Sequence, residues 1–155
     1  MNKKEDIYKI TSIVLMLDQF IKIIINHNMK LDTEIKVIPN FFSILYVKNT
    51  GAAFSILEDN TILLIIISAV FVVLLDRFIK QEKHFSKLSV IALGMIMGGI
   101  FGNLIDRIIH HGVIDYLSFT VLKYNFPIFN LADIGITVGV ALYLLSMILE
   151  RKKQS

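Results

Sequence analysis

Four long apolar stretches constrain this chain more than any other feature. They cover about residues 7–25, 61–79, 88–107 and 131–149, and each approaches the roughly 20 residues that a helix needs to cross hydrocarbon. With 55% hydrophobic residues among 155 and a mean hydropathy of +0.67, the expectation is an integral membrane protein, mainly α, with four transmembrane helices in one domain spanning 1–155. The first stretch is the weakest, because Asp18, Gln19 and Lys22 interrupt it. Those charges, and the absence of a small-residue cleavage pattern after them, argue for a retained helix rather than a signal peptide.

Basic residues set the expected orientation. Lys3, Lys4 and Lys9, then Arg77, Lys80, Lys83 and Lys87, then Arg151, Lys152 and Lys153 fall on one side, whereas Lys30, Lys36, Lys48, Arg107 and Lys123 fall on the other. Ten against five places both termini in the cytoplasm and two loops, about 26–60 and 108–130, outside. The net charge of +3 is clustered at the ends of apolar runs, which suits a membrane surface and argues against nucleic acid. The first outer loop contains "IKVIPNFFSILYVKNTG", rich in β-branched and aromatic residues and closed by a turn-like Asn49-Thr50-Gly51; the second contains "YLSFTVLKYNF", closed by Pro127. Both read as strands, the first lying at the membrane surface.

The chain has no cysteine, so any catalysis must use oxygen or nitrogen groups. Asp18 and Lys22 stand four apart on one helix face in the favourable order for an ion pair. Each would cost about 2.5–3.5 kcal/mol at the bilayer centre, so a partner or a role is expected; a purely structural pair and a pair that orders a site both remain open. Gly94, Gly98 and Gly102 make two small-xxx-small steps that let another helix approach closely. Asn103 and Arg107 share a face, with Asp106 expected to point elsewhere. They read either as an interfacial helix end or as donors aimed into a cavity. Asn130 and Asp133 have the spacing of a capping box, and on spacing alone that reading is preferred. His110 and His111 diverge and lack a third ligand, so no metal is expected. No nucleophile elbow accompanies the serines.

What is left is a carboxylate pair. Asp115 and Asp133 flank the second outer loop, and if the strand-like run between them folds back, the two could share one proton, one acid activating water while the other protonates a carbonyl. Asp133, at a helix N-terminus, favours its anion, which leaves Asp115 to hold the proton.

Five blocks in order, "DQFIK", "NTGAAFS", "GGIFGNLIDR", "VIDYL" and "FNLAD", resemble the lipoprotein signal peptidases, or signal peptidase II. The resemblance implies an aspartic endopeptidase of the bacterial plasma membrane, facing outward, which cleaves the signal peptide of diacylglyceryl-modified prolipoproteins just before the lipidated cysteine. It implies no cofactor and no metal. By motif position it assigns catalysis to Asp115 and Asp133, substrate binding or site ordering to Asn49, Asn103, Arg107 and Asn130, and support to Asp18 and Lys22, and it reverses the capping preference for Asn130 and Asp133. It implies lipid-modified prolipoproteins and membrane lipids as partners, globomycin-type antibiotics as inhibitors, and a small extracytoplasmic β cradle formed by the first outer loop. Tyr116 stands where many members have phenylalanine. Two other classes compete on the residues themselves: a proton- or ion-coupled transporter, from Asp18, Lys22 and Asp106, and a non-catalytic scaffold, from the glycine face of the third helix.

Overall fold

The computed structural model describes residues 2–51 and 60–154. Lys3–Asn28 form α1, capped by Asn2, whose side chain accepts from the Lys4 amide, with Glu5 and Asp6 in the first turn where the helix dipole favours acids. Thr61–Gln81 form α2 and Lys87–His110 form α3. Leu131–Gln154 form α4. The helices run past the expected apolar limits, because polar residues at their ends continue the backbone hydrogen bonding beyond the hydrophobic stretch. α3 carries on through Arg107 to His110, and His111, at φ 54°, ends it in the left-handed conformation.

Among the described residues, three helices are long and apolar enough to cross a membrane, over Thr61–Gln81, Lys87–His110 and Leu131–Lys152. α1 is inverted relative to a helix of a water-soluble protein: Asp18 and Lys22 are buried, whereas Met16, Leu17, Phe20 and Ile23 are exposed.

α3 is the centre of the bundle. Its glycines remove the Cβ atoms that would hold neighbouring helices away. A Cβ on Gly98 would lie 2.8 Å from the Val14 Cβ and 2.9 Å from the Thr11 carbonyl of α1, and one on Gly139 of α4 would lie 2.8 Å from the Ala92 carbonyl of α3. The stripe read from the sequence therefore seats α1, while Gly99, Gly135 and Gly139 seat α4 on another side of α3. A cluster of Ile7, Ile79, Phe85, Val90, Leu93 and Met97 fills the end of the bundle near the start of α1.

At the opposite end lies an antiparallel sheet of four strands in chain order: β1 Glu34–Ile38, β2 Phe42–Asn49, β3 Val113–Val121 and β4 Tyr124–Asn125. The strand-like runs of both loops thus form strands, and they pair with each other. β2 and β3 run from Phe42 opposite Phe119 to Asn49 opposite Val113, with an irregularity between Ile44 and Val47. Ile25, Tyr46, Ile114 and Tyr116 pack the sheet onto the end of α1.

Gly98→Leu should force α1 off α3. Overpacking of this kind costs about 1–3 kcal/mol, so the thermal midpoint in detergent is expected to fall, whereas Ile91→Leu on the exposed side of α3 leaves it unchanged.

Candidate active site

α1, α3, α4 and β3 meet where the bundle abuts the sheet, and each brings polar groups to one buried cluster. Its centre is Lys22. The ammonium lies 2.9 Å from Asp18 Oδ2 and 2.9 Å from Asp106 Oδ2, and donates to Asn103 Oδ1 at 3.0 Å. Lys22, Asp18 and Asp106 are each no more than 1% exposed. A lone buried ammonium would be prohibitively unfavourable, so three acceptors from two helices are what allow this residue to be there.

Asp106 corrects the expectation that it points away from Asn103. Positions three apart are also neighbours on a helix, and both residues reach Lys22. Asp106 also accepts from the Ile114 amide at 3.0 Å and from Gln19 Nε2 at 2.9 Å. Gln19, unassigned from sequence although it sits inside the "DQFIK" block, links α1 to α3 a second time through the Gly102 carbonyl at 3.2 Å.

The two acids that flank the second loop come together through amide side chains. The chain reverses at His111 into β3, and the Leu117–Phe129 bridge folds the returning segment against β3, so the start of α4 lies beside Asp115. Asp115, 2% exposed, accepts from Asn130 Nδ2 at 2.6 Å on Oδ1 and from Asn49 Nδ2 at 3.1 Å on Oδ2. Asp133 accepts from Asn103 Nδ2 at 2.7 Å on Oδ1. Asn130 also donates to Asn103 Oδ1 at 3.2 Å. Burial, reinforced by the negative charge of Asp133, pushes the Asp115 carboxyl up to about 7 against the opposing effect of its two amide donors.

The capping box exists as well. The Asp133 amide donates to Asn130 Oδ1 at 3.0 Å and the Asn130 amide donates to Asp133 Oδ2 at 3.2 Å. Asp133 therefore spends one oxygen on the helix end and turns the other toward Asn103, so the capping reading and the site reading describe one geometry.

Arg107 donates to the Asn103 carbonyl at 3.3 Å and to the Gly51 carbonyl at 3.2 Å, which ties α3 to the end of the first loop. Its buried Nε has no partner among the described residues. Asn49 Oδ1 accepts from the Gly51 amide at 2.9 Å, and this turn aims its amide at Asp115. The remainder of the "NTGAAFS" block, residues 52–55, lies outside the described residues. Tyr116 turns its hydroxyl to the Leu131 amide at 3.2 Å, and burial pushes that phenol up to about 12, so it stays neutral beside the acids.

Removing the Lys22 charge should leave Asp18 and Asp106 buried without a counter-ion. Lys22→Met is expected to lower stability by about 3–5 kcal/mol, and combining it with Asp18→Asn and Asp106→Asn should recover part of that loss, read from thermal midpoints in one detergent.

Several known proteins are similar to this chain. The model of the family described as "Signal peptidase (SPase) II" matches residues 10–149. A lipoprotein signal peptidase of Symbiobacterium thermophilum is 40% identical over 141 residues, covering 91% of this chain and 93% of that protein. Two solved bacterial membrane enzymes superpose on the chain: one at a TM-score of 0.86 with 31% identity, covering 94% of this chain and 89% of the other, and one at 0.80 with 33% identity, covering 89% of each.

Proposed function

The chain belongs to the signal peptidase II family, it is a peptidase that removes lipoprotein signal peptides, and from that premise we propose that it works as an aspartic enzyme with Asp115 and Asp133 as its dyad. The observation that carries this reading is the linkage of two carboxylates from different elements through Asn130 and Asn103, with Asp115 held up to about 7. The transporter and scaffold readings give way to the family.

In this mechanism Asp133, in the first turn of α4 where the helix dipole favours negative charge, takes a proton from water. The hydroxide attacks the scissile carbonyl carbon while Asp115 gives its proton to the carbonyl oxygen, forming a neutral tetrahedral diol. Collapse of the diol breaks the C–N bond. Asp133 returns its proton to the departing amine and Asp115 recovers one from a hydroxyl, so the dyad ends as it began. Asn103 and Asn130 hold the carboxylates, Asn49 orients Asp115, and Arg107 offers a donor to the bound peptide. Asp18 and Lys22 support Asn103 from behind.

We further assign α1 as a fourth membrane span. Its apolar residues face outward and its charges face the bundle, the arrangement expected of a helix in lipid. The excess of basic residues at the end opposite the sheet supports cytoplasmic termini and an outward-facing site in the bacterial plasma membrane, with helices and sheet acting as one peptidase domain. A prolipoprotein bearing a diacylglyceryl group is itself membrane-bound, so the peptide bond before its lipidated cysteine can reach acids at the outer boundary while its acyl chains stay in lipid. Globomycin-type antibiotics would then compete at the same place.

Asp115→Asn and Asp133→Asn should each leave a folded protein whose cleavage of a purified diacylglyceryl-modified prolipoprotein falls by about a hundred- to ten-thousand-fold; near-normal cleavage by either variant would sink the dyad. Because Asp115 must hold its proton, kcat/KM should decline as pH rises through about 7. Asn49 stabilises the Asp115 anion, so Asn49→Ala raises the affinity of Asp115 for its proton and should move that decline to higher pH. A shift to lower pH would contradict the assignment.

A further inference from the structure

The end of the sheet farthest from the carboxylates has an apolar surface and an unfavourable backbone that nothing in the described fold uses. β3 runs from Val113 to Val121 and returns as β4 through Leu122 and Lys123, with φ 50° and 68°. A two-residue turn with positive φ at both positions selects Asn-Gly or Asp-Gly, because a Cβ there crowds the following carbonyl. Here the positions are a leucine and a lysine. The β1–β2 turn passes through Asn40 at φ 58°, and the Thr120 amide donates to the Phe41 carbonyl at 2.9 Å, so the two turns lie side by side. Leu122 is 97% exposed, and Ile38, Phe41, Val121, Tyr124 and Phe126 around it are each at least 40% exposed.

We propose that this double-turn tip inserts into the bilayer interface on the side of the active site, with Leu122 and Phe41 at the boundary between acyl chains and headgroups. The occupant follows from the chemistry and from continuity with the membrane-facing helices. Apolar side chains project at the tip, Lys123 beside them can extend its ammonium to lipid phosphates, and Tyr124 presents the ring and hydroxyl that suit the headgroup layer. Distance adds a constraint. Leu122 stands seven positions beyond Asp115, about 23 Å of strand, so the sheet either stands up into water with its apolar tip outermost or lies along the interface with that tip in lipid. Only the second buries Leu122. A glycine would relieve the turn but would have nothing to insert. With its far end seated, β3 becomes a strut that fixes the height of Asp115 relative to the acyl boundary. The inference needs only that the chain crosses a membrane, so its failure and a failure of the dyad are separate results.

The chain has no tryptophan, so Leu122→Trp and Phe41→Trp each supply a single emitter. Phe41→Trp exchanges one aromatic for another and guards against misfolding at the turn. In phosphatidylcholine–phosphatidylglycerol vesicles without substrate, lipids brominated on their acyl chains should quench both emitters by roughly twofold or more. Acrylamide should quench them several-fold less than a His84→Trp control in the exposed segment between α2 and α3, at every lipid-to-protein ratio. Emitters that ignore brominated lipid and meet acrylamide as freely as the control overturn the proposal. So does protection from acrylamide that appears only at high protein density without bromine quenching, which would mean that a second copy covers the tip.

Discussion

The rest of the structure depends on how a lysine is kept charged inside an apolar bundle. Lys22 is held by Asp18 from its own helix and by Asp106 and Asn103 from α3. Each of those partners is committed elsewhere: Asp18 Oδ1 accepts from the Ala132 amide at 2.9 Å at the start of α4, Asp106 accepts from the Ile114 amide of β3, and Asn103 donates to Asp133. One cation thus links three helices and the strand that carries Asp115. Ion pairs buried in this way are weak contributors to net stability but costly to break, and here their value lies in fixing the relative positions of four elements.

Close packing makes that geometry possible. Gly102 lies directly beneath the Asp18 carboxylate, where a Cβ would collide with Oδ2, so the glycine stripe of α3 admits the charged part of α1 as well as its backbone. The sequence pattern was interpretable as close helix packing, but which helix it served, and that its last member faces a carboxylate, depend on an approach between α1 and α3 that spacing within α3 cannot reveal.

The same division runs through the site. Helix positions, strand-like loops, the i,i+4 pairing of Asp18 with Lys22 and the box of Asn130 with Asp133 were legible because each is a local relation along one element. The link between Asp115 and Asp133 was legible only as a possibility, since it needs the returning loop to meet β3 at Leu117 and Phe129. Asp106 and Gln19 were not legible: their partners lie on another helix, and the sequence contains no signal for the register of α1 against α3. The family resemblance supplied Asn49, whose route to Asp115 runs through the pairing of β2 with β3.

The amides between the acids are what the lysine finally controls. Asn103 could in principle present either end to each neighbour, but its Oδ1 faces the Lys22 ammonium, so its Nδ2 must face Asp133. A flipped amide would set N–H against N–H on one side and oxygen against carboxylate on the other, unfavourable at both ends in a site with little solvent to screen them. Asn130 is fixed in the same way, because its Oδ1 accepts from the Asp133 amide and its Nδ2 is left for Asp115 and Asn103. The polarity imposed at Lys22 is thereby transmitted through two neutral side chains to both carboxylates. A buried charge can order the pair in this way without touching it.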